Sequence, residues 1–181
     1  MVQIAIVLVL IAGMMLTVSV LRKWKHPKQK EVLLWSVFVI YALGNLYFTL
    51  LSRKQSPIAY LDILPFRNFA RLFMSPEETT ETVTGIAVFF LKDMIPIEGI
   101  LLNILLYFPL GYLLPVLFPN LKTWHIILIG CLCSIATEAA QYIFKLGWCE
   151  TDDVIHNTLG TALGVCLWRR QIPFIGNNYD K

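Results

Sequence analysis

Long runs of residues without charge dominate this chain, and they limit the solvent in which it can fold. Residues 2–21, 32–51 and 99–118 contain no acid, lysine or arginine. Residues 123–144 are interrupted only by Glu138, and the stretch between Asp153 and Arg169 is again free of charge. A helix needs about 20 apolar residues, at 1.5 Å each, to cross a bilayer core about 30 Å thick. Charged residues make up 15% of the 181, against roughly a quarter in soluble domains. The mean hydropathy is +0.65. The sequence therefore predicts an all-α, polytopic membrane helical bundle with about five transmembrane helices. The expected spans are 2–21, 32–51, 99–118, 123–144 and 153–169, within a single membrane domain covering 1–181.

Basic residues set the expected orientation. Arg22, Lys23, Lys25, Lys28 and Lys30 crowd the first connection, which is expected on the cytoplasmic side. The first span lacks a basic segment before it and a small-residue cleavage site after it, so it reads as an uncleaved helix. The amino terminus is then expected outside and the carboxyl terminus in the cytoplasm. Nine of the 15 lysines and arginines fall inside on this topology, with Lys122, Arg169, Arg170 and Lys181 joining the first five. Without the fifth span three of them would move outside, leaving a minority of six within, so five spans satisfy the rule better than four. The basic cluster reads as a juxtamembrane anchor for anionic lipid, and nucleic-acid binding has little support. Residues 52–97 form an expected outer loop. Its part 58–74 mixes aromatic and charged residues and suits the interfacial plane. Residues 86–91 are apolar but too short to span, which suggests an interfacial or re-entrant piece.

Polar residues inside the apolar runs carry the functional reading. Asn103 lies five residues past Glu98, Glu138 six before Phe144, and Asn157 four past Asp153. At 1.5 Å per residue these are depths of about 7.5, 9 and 6 Å. Antiparallel neighbours bring all three to one side of the membrane, whichever side that is. Helical spacing adds direction. Ser134, Glu138 and Gln141 share a face of the fourth span, and Asn103, Tyr107 and Gly111 share one of the third. Asp153, Asn157, Gly160, Thr161 and Gly164 share a face of the fifth, where Gly160 and Gly164 form a G-x-x-x-G pair. Polar groups on a close-packing face point into the bundle. A carboxylate there needs a partner, and Arg53, Arg67, Arg71, Lys145 and the nearby amides are the candidates for Glu138.

Simpler readings account for part of this pattern. A single Asn, Gln or Ser in a span is commonly a bond between helices. Asp152 and Asp153 also suit the amino-terminal end of a helix through its dipole. Glu138, Asp152, Asp153 and His156 are metal-ligand types without a recognised spacing, so no metal and no cofactor are expected. The four cysteines show no C-x-x-C pair and read as small apolar residues rather than a disulfide framework. No nucleophile elbow or phosphate-cradling glycine loop is present.

At these residues the chain resembles the VanZ family of bacterial membrane proteins, named for teicoplanin resistance. The matching stretches are Leu64-Pro65-Phe66 with Asn68, Asn103 through Pro109 to Gly111, Ser134 through Glu138 to Gln141, and Asp152-Asp153 through Asn157 to Gly160. Together they cover about residues 64–164. The resemblance implies a cytoplasmic-membrane protein with an outward-facing site, linked to low-level resistance to lipoglycopeptide antibiotics. The candidate ligand-binding residues are Arg67, Asn68, Asn103, Glu138, Gln141, Asp152, Asp153 and Asn157. The expected partner is an amphiphile: a membrane lipid, a lipid-linked cell-wall precursor, or the antibiotic itself. An intramembrane enzyme acting on a lipid-linked envelope substrate, with Glu138 or Asp153 as general base, is the alternative. A transporter ranks last, because no charge lies near mid-membrane and no inverted repeat is visible.

Overall fold

The computed structural model describes residues 2–63, 65 and 83–176, and these form an all-α bundle with two very short strands. Helix α1 is Val2–Arg22 and α2 is Pro27–Leu46, extended by one π-helical turn over Tyr47–Leu51. Strand β1 is Tyr60–Asp62, followed by α3 at Val83–Leu117 and α4 at Thr123–Ile143. Strand β2, Trp148–Glu150, runs directly into α5, Thr151–Gly176. Val2–Arg22, Pro27–Leu51, Ile97–Leu117 and Thr123–Ile143 are each long and apolar enough to cross a membrane. Helix α5 is more polar, and its inward face explains how it still belongs to the bundle. Asn157, Thr161, Val165 and Trp168 are all buried, at spacings that keep them on one side.

Three boundaries differ from the sequence expectation. Helix α2 begins at Pro27 rather than residue 32, because proline at the first helical position is pre-set for a helix and lacks only an unneeded N–H. Lys28 and Lys30 therefore lie within the first turns of α2 instead of in a loop. Residues 86–91 are neither re-entrant nor a separate interfacial piece: they belong to α3, which continues through Pro96. At 35 residues α3 is about 52 Å long, well beyond a bilayer core. Pro96 directly precedes the apolar stretch Ile97–Leu117, so the backbone bond it removes lies outside that stretch. Finally, Tyr60–Asp62 pairs in parallel with Trp148–Glu150, in the register Tyr60↔Trp148 and Asp62↔Glu150. The expected interfacial segment 58–74 thus begins as a strand laid along the α4–α5 connection. Its later residues, Arg67 and Asn68 among them, lie outside the described residues.

The tightest packing joins α3 to α5. A side chain built at Gly160 would collide with the backbone of Ile104, one at Gly164 with Phe108, and one at Gly111 with Thr161. These glycines let two helix backbones approach to contact, the small-residue packing that drives helix association where lipid removes the hydrophobic force. Pro109 lies in the same part of α3. It removes the N–H that would bond Leu105, and the adjacent carbonyl of Leu106 accepts bonds from Tyr41 Oη (2.9 Å) and Asn45 Nδ2 (3.1 Å) on α2.

Aromatic packing closes the end of the bundle far from Asn103. Trp168 meets Tyr112 edge to face at 5.3 Å, and the Arg22 guanidinium sits 4.1 Å from the Trp168 ring centroid. Tyr112 Oη donates to Gln171 Oε1 at 2.9 Å, and Arg169 donates to the Leu121 carbonyl at 2.6 Å. These bonds tie α1, α3, the α3–α4 turn and α5 together.

Candidate functional site

The turn leaving α4 shapes the opposite end. Phe144 caps the helix and Lys145 follows at φ 55°. Leu146 N–H donates to the Gln141 carbonyl and Lys145 N–H to that of Tyr142, at 2.8 and 3.2 Å. This is a Schellman motif built on lysine where glycine is usual. Gly147 then adopts φ 136°, and a side chain there would crowd the Arg53 guanidinium. The reversal brings Trp148–Glu150 back over the end of α4.

Glu138, only 4% exposed, receives the Glu150 backbone N–H on Oε2 at 3.0 Å. One buried carboxylate thereby holds the strand that leads into α5. Asp153 on the first turn of α5 lies near enough to repel Glu138, while Arg53 attracts both. Asn103 of α3 is within hydrogen-bonding reach of Asp153. Four chain segments distant in sequence thus bring an amide, two acids and a guanidinium together.

Arg53, Asn103 and Asp153 border a cavity of about 640 Å³, while Glu138 is buried behind its lining and holds Glu150 in place. Arg53, Asn103, Glu150 and Asp153 line its polar side, with Gln3 and Ser52, while Ile6, Val7, Phe48, Leu102 and Leu106 supply an apolar wall. Helix α1 contributes its amino-terminal end, α2 its carboxyl-terminal end, and α3 the turns after Gly99. Alternating helix direction produces this convergence, as the depth estimates anticipate.

The remaining candidates sit deeper. Asn157 Nδ2 donates to Ser134 Oγ at 2.8 Å, and its own carbonyl accepts from Thr161 Oγ1. Gln141 Nε2 donates to the Thr49 carbonyl at 3.0 Å, inside the π turn of α2. A π turn is a frequent companion of functional sites, and this one ends one residue before Ser52 and Arg53. Asn157 and Gln141 therefore act as struts between helices, set behind the cavity rather than lining it. Asp152 is buried at 3% exposure beside Asp153.

Sequence reading named Arg53 as a partner for Glu138 but did not place it in the site, and it passed over Gln3, Gly147 and Glu150. Arg53 is the first cation after the second span, and that position was the available signal. Glu150 offered none, because its place depends on the turn geometry at Lys145 and Gly147.

Cys149 lies in the same connection. Burial, followed by repulsion from Glu138, Asp153 and Glu150, holds its thiol above the ordinary range. All four cysteines are free thiols. Among the described residues no group of three or more His, Cys, Asp or Glu side chains is arranged to hold a metal ion.

Long apolar helices whose buried polar groups converge on a cavity at one end define a polytopic α-helical membrane protein. The VanZ/LLP1 family model matches residues 31–174, most of the chain, so the protein belongs to that family. The match takes in α2 through α5, and α1 precedes it. Searches of curated proteins and of solved structures give no match.

Proposed function

We propose that this protein contributes to low-level resistance to lipoglycopeptide antibiotics such as teicoplanin by binding an amphiphile at the outer leaflet of the bacterial cytoplasmic membrane. The ligand is a lipid, a lipid-linked cell-wall precursor or the drug, held by its polar head. The observation that carries this reading is the cavity itself, with Arg53, Asn103 and Asp153 on one side and Val7, Phe48 and Leu106 on the other. Such a boundary suits a molecule that is polar at one end and apolar at the other. The excess of basic residues in the first connection supports a cavity facing outward, with the carboxyl terminus in the cytoplasm.

The test is antibiotic protection in cells carrying variants whose membrane levels match the wild type. Arg53→Gln, Asn103→Ala and Glu138→Gln are expected to abolish protection against teicoplanin while leaving vancomycin susceptibility, which involves no acyl chain, little changed. Equal loss against both drugs contradicts a tail-dependent mechanism. The proximity of Glu138 and Asp153 favours a second reading, an intramembrane enzyme using paired carboxylates on a lipid-linked substrate. Lipid and precursor profiles by mass spectrometry, wild type against Glu138→Gln, decide between them: a new or missing species supports catalysis, and identical profiles support binding.

A further inference from the structure

A second, largely apolar groove of about 340 Å³ lies beside the polar cavity, between α1 and α2 and floored by α3. Val7, Phe48 and Leu106 line both spaces, so the two adjoin at these residues. Along α1 the groove is lined from Val7 through Ile11 and Met14 to Thr17. Ten residues of helix is about 15 Å, the depth of one leaflet's hydrocarbon. A groove of that length and volume has room for an extended alkyl chain.

We infer that this groove holds an alkyl chain of the same amphiphile whose head occupies the polar cavity. The inference builds on the binding reading above and adds the chain's course and depth. Adjacency of the two spaces supports it, as does their order: the polar cavity lies at the helix ends and the apolar groove runs inward. Arg53, Glu150 and Asp153 give the cavity charges of both signs, which a zwitterionic head such as phosphocholine can match. In a bilayer the chain gains little from hydrophobicity, since lipid tails are equally apolar. The groove therefore fixes where the chain goes and how the head is presented, rather than supplying most of the affinity.

Photo-crosslinking reads this directly. The full chain in phospholipid nanodiscs is exposed to alkylphosphocholines bearing a diazirine either next to the head or at the chain terminus, and adducts are mapped by mass spectrometry. The head-proximal probe is expected on Val7 and Phe48, and the terminal probe on Met14 and Thr17. Labelling there should exceed that at Val9 and Leu16, which face outward on the same helix, by about fivefold. Gly44 lines the groove and a Cβ there would meet nothing within 4 Å, so Gly44→Phe fills the groove without displacing backbone. It should remove the terminal adducts and spare the head-proximal ones. Terminal adducts spread evenly over Met14, Val9 and Leu16, with head-proximal adducts retained, overturn the groove assignment alone. Loss of head-proximal selectivity in the wild type overturns the cavity reading as well.

Discussion

Two parts of this bundle are built on opposite terms. Helices α3 and α5 meet backbone to backbone through Gly111, Gly160 and Gly164, with Asn157, Ser134 and Thr161 bonded beside them. Helices α1 and α2 diverge enough to leave a groove, and Leu34 is the one fully buried residue of α2. Hydropathy does not predict which pair packs tightly, since the seam contains α5, the more polar helix, beside the apolar α3. What separates them is whether the small and polar residues fall on one shared face. The contrast teaches that the rigid seam fixes Asn103 and Asp153, while the open pair leaves an apolar groove beside them.

One substitution placed in each part gives the sharpest test. Gly160→Leu would drive a side chain into the Ile104 backbone, a loss of about 3 kcal/mol or more, enough to abolish a monodisperse folded species on size-exclusion chromatography. Gly44→Leu, in open space, is expected to change stability by less than about 0.5 kcal/mol in a thermal-shift assay. Comparable losses at both sites would erase the distinction between seam and groove.

The struts should give intermediate effects. Asn157→Leu leaves the Ser134 hydroxyl without its partner and Gln141→Leu frees the Thr49 carbonyl, each costing about 1–2 kcal/mol by thermal shift. Cavity variants such as Arg53→Gln should cost less than these, because Arg53 is only half buried. Smaller still, and opposite in sign, is Lys145→Gly. It relieves a left-handed lysine and should stabilise the protein by about 1 kcal/mol. A destabilised Lys145→Gly would mean that the lysine side chain contributes more than its backbone strain removes.

Much of the seam was legible in the sequence for a simple reason. In a membrane helix, spacing fixes the face, and small residues on that face fix how closely a neighbour can pack. Asn103, Gly111, Ser134, Glu138, Asn157 and Gly160 obey that rule, and the meeting of Asn103, Glu138 and Asn157 toward one end follows from alternating helix direction alone. The finer division among them was not legible. Whether Asn157 lines the cavity or braces it depends on a few ångströms of helix rotation, which spacing does not resolve. Glu150 and Gly147 were hidden because turns have no period; they reach the cavity through two left-handed residues and a three-residue strand. The parallel pairing of Tyr60–Asp62 with Trp148–Glu150 joins segments almost ninety positions apart, and nothing local in either announces it.

The account stands or falls on where Asn103 is exposed. In a background with Cys131, Cys133, Cys149 and Cys166 replaced by alanine, Asn103→Cys is treated with a charged, membrane-impermeant maleimide on intact cells. Gln29→Cys, exposed among the lysines in the first turn of α2, serves as the opposite-side reference. Labelling of Asn103→Cys in intact cells, with Gln29→Cys reacting only after permeabilisation, is the predicted result. A cysteine at 103 that stays inert in intact cells, or reacts only together with the one at 29, would contradict an outward-facing polar cavity.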